Sequence, residues 1–159
     1  SLLDVVRRVL DDTGLHPAFL GLEFTEHALE SCRADSVETL RRLREMGVRL
    51  AVDDFGASQS SINQLKRFPI DMLKIAKSVI ANMLQDPDTR SLVCAIIAAS
   101  RALGLDSVAA GVEQHEQREL LLSKGCGKMQ GYLINPPMTA SDLEMYFHAA
   151  YSGGSNHFR

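Results

Sequence analysis

The sequence of 159 residues has no tryptophan, three tyrosines and six phenylalanines. With Trp absent and Tyr scarce, no aromatic platform for single-stranded nucleic acid is evident. Its three cysteines, Cys32, Cys94 and Cys126, show no C-x-x-C spacing. That excludes a disulfide framework and a zinc knuckle, and the thiols read as reduced. No apolar run approaches the ~18 residues of a membrane span. The longest candidate is Leu92 to Ala99, so no membrane segment is expected in this chain. Ser1-Leu2-Leu3-Asp4 lacks a signal pattern, and the expected location is cytoplasmic. An excess of either charge is also missing. Seventeen Lys and Arg stand against twenty Asp and Glu, a formal net charge of −3. There is no basic footprint, so no nucleic-acid polymer is expected as a partner. The five histidines, His16, His27, His115, His148 and His157, have no metal-ligand spacing.

What is present is an ordinary globular composition, 45% hydrophobic, with enough length for a core. The length falls short of a complete eight-fold α/β barrel, which takes about 200–250 residues. Helical and strand-like segments alternate. Leu2, Leu3, Val6, Val9 and Leu10 have helical spacing, with Gly14 as a stop. Phe19 to Phe24 reads as a strand. Asp35 and Glu38 resemble a capping box for a helix with Val37, Leu40, Leu43 and Met46 on one face. Val48 to Val52 is a second strand and runs into Asp53-Asp54-Phe55-Gly56. A polar turn over Ala57 to Ser61 leads to a helix carrying Ile62, Leu65 and Phe68, which Pro69 breaks. Met72 to Ile75 is a third strand. Pro87 and Asp88 open a long helix through Leu103. Ser107 to Val112 and Lys128 to Leu133 are further strands, separated by a helix from Gln117 to Leu122. Thr139 or Ser141 caps a last helix through Phe147. Residues 151–159, with Ser152-Gly153-Gly154-Ser155, read as a tail to a single unit over 1–150. Five strands alternating with helices imply an α/β fold with a parallel sheet.

Parallel α/β folds gather their chemistry at the C-terminal strand ends. Those ends hold Glu23 with Glu26 beyond it, then Asp53 and Asp54, then Lys74. The fourth offers Ala110 followed by Glu113, and the fifth offers Gln130. Carboxylates so placed suit a hard cation, and a lysine between apolar neighbours needs an acid or an anion as partner. The set fits two-metal hydrolysis of a phosphate ester. It also fits a plainer reading of strand-end acids that cap helices and a lysine that snorkels.

At these residues the sequence resembles the EAL domain family. Leu22-Glu23-Phe24-Thr25-Glu26 is similar to the family's L-E-(I/F)-T-E, and Asp53-Asp54-Phe55-Gly56 to its D-D-F-G. Leu65 to Ala76 resembles L-K-R-L-P-(V/I)-D-x-L-K-I-D. Val108 to Glu113 resembles V-A-E-G-V-E, and Gln130-Gly131-Tyr132-Leu133 matches Q-G-Y-L. The resemblance runs from about Ser1 to Phe147. It implies a TIM-like (β/α)8 barrel of EAL type, incomplete here with about five βα units. It also implies cyclic di-GMP as ligand and Mg2+ or Mn2+ as cofactor. Glu23, Asp53 and Asp54 then correspond to metal ligands, and Lys74 and Gln130 to catalytic and ligand-binding groups. Glu26 and Glu113 correspond to residues behind them.

The departures bear on activity. Ala110 and Ala76 stand where the family has a glutamate and an aspartate, and alanine neither ligates a metal nor accepts a proton. The E-A-L signature and an asparagine of the family would fall before Ser1. The expectation is a degenerate EAL domain in bacterial cyclic di-GMP signalling. It would act as a nucleotide receptor or regulatory module with little or no hydrolysis. The alternatives are an active phosphodiesterase within a longer parent and a non-binding dimerisation scaffold. A partial barrel exposes sheet edges and, it is expected, an apolar interior, which implies a homodimer or a missing upstream half-barrel.

Overall fold

Strands of β-branched and aliphatic residues alternate with helices along the whole chain, as the hydrophobic pattern predicts. The computed structural model describes residues 1–30, 32–57 and 62–152. Helix α1 (Leu2–Thr13) turns Leu3, Val6 and Leu10 inward. After a 3-10 turn at Pro17–Phe19 come β1 (Gly21–Thr25), α2 (Glu26–Glu30), α3 (Ala34–Glu45) and β2 (Arg49–Phe55). Then follow α4 (Ile62–Leu65), β3 (Met72–Ile75), α5 (Lys77–Asn82) and α6 (Pro87–Ala102). The chain continues through β4 (Asp106–Ala110), α7 (His115–Ser123), β5 (Lys128–Gln130) and α8 (Ala140–Ser152). Among the described residues no helix is long and apolar enough to cross a membrane.

The five strands form one parallel sheet in chain order, β1-β2-β3-β4-β5. The register decides which residues share a face. Glu23 lies beside Ala51, Ala51 beside Met72, Lys74 beside Val108, and Ala110 beside Gln130. Strand residues alternate between faces, so Glu23, Asp53, Lys74, Ala110 and Gln130 project from one side. The opposite side carries Leu50, Val52, Leu73, Ile75 and Ala109, all buried. Leu43, Ile80, Ile96 and Leu121 of the helices are buried in the same core. Fully burying each such side chain is worth about 1.5–3 kcal/mol, enough to fix which face the helices cover. The other face is the inside of an incomplete (β/α)8 barrel.

Several local expectations change. The interior face is polar at both rims: Asp106 pairs with Lys128 (2.5 Å) at one and Lys74 meets acids at the other. Between the rims the same face carries Ala51, Met72 and Val108, so the expected apolar interior is confined to the middle of the sheet. Exposed apolar residues lie on α1 (Leu2, Val5, Val9) and α8 (Leu143, Met145, Tyr146, Phe147) instead. Asp35 and Glu38 form no capping box. Arg33 occupies the cap position without a side-chain bond, and Glu38 pairs with Arg41 and Arg42 (2.5 and 3.2 Å) on the next turn. The first strand begins two residues after Phe19, which the proline-initiated turn takes up. The fifth strand ends at Gln130, because the chain turns at Gly131 and crosses Val112. Phe68 is buried beyond α4 rather than on it. Thr139 caps α8, its hydroxyl accepting the Asp142 N–H at 3.2 Å. That helix takes in Tyr151 and Ser152, and the rest of the expected tail lies outside the described residues. So does most of the polar turn after Gly56.

Gly131 has no space for a side chain. A Cβ there would sit 2.2 Å from the Val112 carbonyl oxygen and 2.4 Å from its nitrogen. Gly131→Ala is expected to cost about 2 kcal/mol or more, since backbone atoms must move. Gly127→Ala, with nothing within 4 Å, should stay within about 0.5 kcal/mol. Urea denaturation of the two variants checks the contrast.

Candidate functional site

The site starts from a bulge. Between β2 and β3 the register advances from Val52/Leu73 to Phe55/Ile75, so β2 spends one residue more than its neighbour. A bulge re-aims side chains at the point of insertion. Here it falls on Asp53 and Asp54, and Asp54 adopts φ +55, the one non-glycine residue with positive φ among those described. Aspartate tolerates this region better than most residues because its short side chain bonds locally. The Asp54 N–H donates to Asp53 Oδ1 at 2.9 Å. Asp53 is half-buried and Asp54 exposed, so the tandem acids point to different surroundings.

Lys74, one strand over, has a side chain only 11% exposed. Its ammonium donates to Glu23 Oε2 at 2.6 Å and lies 3.3 Å from Asp53 Oδ1. One lysine thus joins β1, β2 and β3. Burial works to lower its pKa, but the bonds and charges of Glu23 and Asp53 outweigh it and hold the group above the ordinary lysine value. Lys74 is therefore fully charged at neutral pH.

Glu26 opens α2 and is buried. Its Oε2 accepts the Gly56 N–H at 3.3 Å, tying α2 to the turn after the bulge, while Oε1 has no partner among the described residues. Glu113 follows β4 and meets the Lys77 ammonium at 2.8 Å. Ala76, the other departure from the family pattern, is buried just after β3. Ala110 and Gln130 stand side by side at the ends of β4 and β5. They line a cavity of about 610 Å3 together with Asp53, Asp54, Lys74 and Lys77. Tyr132, Asn135, Met138 and Leu143, from the segment after β5, complete it. Its volume is that of a small-molecule site. Glu23 and Glu113 do not line it; they reach it through the lysines they hold.

Two contributors escaped the sequence reading. Lys77 enters the cavity because it is the first residue of α5, directly after the β3 end. Its bond to Glu113 raises its pKa. Gln117 is buried on α7. Its Oε1 accepts the N–H groups of Glu113 and Gln114 (2.9 and 3.0 Å), and its Nε2 donates to the Ile80 carbonyl at 3.0 Å. It fixes the loop that carries Glu113 to the helix that carries Lys77. Proximity to the strand end was a signal for Lys77; a glutamine three residues after a possible cap was a weak one for Gln117.

The oxygen donors suit a divalent cation in kind. Their arrangement does not form a cage. Among the described residues no three Asp, Glu, His or Cys side chains are grouped closely enough to hold one ion. The Lys74 ammonium lies against both Glu23 and Asp53, and Ala110 supplies no donor. In this arrangement Lys74 is the counter-charge that Glu23 and Asp53 share.

Lys74→Met should lower stability at neutral pH by about 1–2 kcal/mol, between the values for exposed and buried pairs. Because the folded pKa is raised, that contribution is complete below the usual lysine value of 10.5 and is lost as pH rises through the higher folded value. The wild-type minus variant difference in urea denaturation should stay level from pH 7 to about 10 and shrink above it.

The EAL domain profile matches residues 1–137. The chain is 40% identical over 149 residues to the cyclic di-GMP phosphodiesterase NbdA of Pseudomonas aeruginosa, covering 94% of this chain and 19% of that protein. In three dimensions it is similar to the PaMucR phosphodiesterase in complex with c-di-GMP. There the TM-score is 0.85 at 41% identity, over 89% of this chain and 57% of that one. A manganese and cyclic di-GMP complex of Klebsiella pneumoniae BlrP1 gives a TM-score of 0.76 at 32% identity, over 82% of this chain and 34% of that one. The chain spans about a fifth of the length of curated relatives such as NbdA.

Proposed function

The chain belongs to the EAL domain family, and from that membership we propose that it is a cyclic di-GMP-binding module of a bacterial signalling protein, with little or no hydrolysis. One observation carries the reading. The cavity keeps Asp53, Asp54, Lys74 and Gln130 at the strand ends but meets a methyl group at Ala110, where the family pattern has glutamate. Alanine can neither complete a metal cage nor move a proton, and removing one positioned catalytic group costs about 10²–10⁴ in rate. The pocket itself does not depend on that carboxylate.

On this reading Lys74 and Gln130 face the nucleotide, Glu23 and Asp53 hold the lysine in place, and Glu26 positions the turn that follows Asp54. Glu23, Asp53 and Asp54 retain the family's oxygen donors, but a cation entering between the first two would compete with the Lys74 ammonium. Relatives that carry the phosphodiesterase name, and solved neighbours with cyclic di-GMP bound, support the choice of ligand.

Isothermal calorimetry of the purified chain should show cyclic di-GMP binding in the presence of EDTA. Chromatography after incubation with Mn2+ should show no appreciable linear dinucleotide, and rapid conversion would reject the proposal in favour of an active phosphodiesterase. Ala110→Glu should make binding respond to Mn2+.

A homodimer is a further part of the proposal, supported by Leu2, Val5 and Val9 at helical spacing on the exposed side of α1. Light scattering should give twice the mass of 17.5 kDa; a stable monomer would remove this part.

A further inference from the structure

We propose that Lys77 is the group that holds a phosphate oxygen of the cyclic dinucleotide without a divalent cation, exchanging its bond to Glu113 for one to the ligand. The inference rests on the reading that the cavity takes cyclic di-GMP, and it names the residue responsible for metal-free binding.

Charge around the cavity selects this lysine. Two lysines line the pocket, and Lys74 is already matched by two carboxylates. Lys77 has one, Glu113, which lies outside the lining. At the β4 end the lining has Ala110, a methyl group where the family pattern has an acid; Ala76, next to Lys77 in the chain, also replaces an acid but is buried outside the lining. The wall there therefore carries a methyl group and an ammonium, while the acids of the lining, Asp53 and Asp54, stand at the β2 end with Lys74 against Asp53.

The stem of the side chain is also packed, while its tip stays exposed. The stem of Lys77 runs against Gly111, which has φ +74. A Cβ at that glycine would fall 2.4 Å from Lys77 Cγ and 2.8 Å from Cδ. Glu113 holds the tip at 2.8 Å, and the Tyr132 ring centroid lies 5.8 Å from Nζ. Two segments, the one after β4 and the one after β5, thus bear on one charge. The pair with Glu113 is exposed on both sides, 60% and 46%. An exposed pair contributes little to stability, so giving up Glu113 for an incoming anion costs little. A lysine acts on phosphate as a point charge with three donors, which suits a phosphodiester whose orientation other groups set. The Tyr132 ring beside it is exposed and offers an apolar face to an attached base.

The test is calorimetric titration of cyclic di-GMP in EDTA, at low and moderate NaCl, into the wild-type chain, K77M, K77R and E113Q. Circular dichroism and melting would confirm that each is folded. Loss of a charged hydrogen bond predicts binding about tenfold weaker for K77M. K77R should recover most of it, and E113Q should bind as tightly as wild type or more so. Wild-type affinity should fall more steeply with salt than that of K77M. K77M within about twofold of wild type, equal salt dependence, or a loss in E113Q as large as in K77M would overturn the assignment. A folded wild type that binds only with Mn2+ would overturn it as well. A folded wild type that binds under neither condition would instead reject the cyclic di-GMP reading, and the inference with it.

Discussion

Parallel pairing in chain order is the constraint from which the rest follows. Each strand must end at the same rim as its neighbours, because every connection crosses back over the helical side before the next strand begins. Five strands, β1 to β5, are held that way by backbone bonds in near-perfect register. The register brings Glu23, Asp53, Lys74, Ala110 and Gln130 to one edge although 107 positions separate the first from the last. Burial of Leu50, Val52, Leu73, Ile75 and Ala109 against the helices then leaves that set no other face to occupy.

The single irregularity in the register sits where the chemistry does. One extra residue in β2 splits the two aspartates: Asp53 turns towards Lys74, and Asp54 takes a left-handed conformation at the cavity wall. The lysine between Glu23 and Asp53 neutralises charge that would otherwise accumulate at three converging strand ends. That electrostatic arrangement leaves Lys74 matched by two acids and Lys77 at the cavity with one exposed partner. It is consistent with a pocket that receives an anionic ligand on lysines.

Much of this was legible beforehand, for identifiable reasons. Strands β2, β3 and β4 stood out because aliphatic runs of four to six residues lay between turn signals. Helix α6 stood out because Pro87 and Asp88 mark its start; the cap is the residue before them, Asp86, which accepts the N–H groups of Asp88 and Thr89. The site residues were legible because motif order and spacing survive in a linear sequence. What failed was local and context-dependent. Asp35 and Glu38 have capping chemistry, but two arginines one turn later compete for the glutamate. The fifth strand read too long because nothing local shows that Gly131 must pass against the Val112 backbone. Gln117 and Lys77 also act through partners 37 and 36 positions away, Ile80 and Glu113, and no periodicity encodes such a pairing.

The sequence by itself determined the alternation of elements, the family pattern and the identity of each group at the strand ends, including the two alanines. These are properties of residue type and spacing, which the chain carries whether folded or not. Only the tertiary structure decided what those groups do to one another. It set the lysine of β3 against acids of β1 and β2, opened the tandem aspartates with a bulge, and put charged groups at both rims of the interior face. It also brought Lys77 across Gly111 to Glu113. Distances between side chains far apart in sequence depend on register and packing, and neither exists until the sheet has formed.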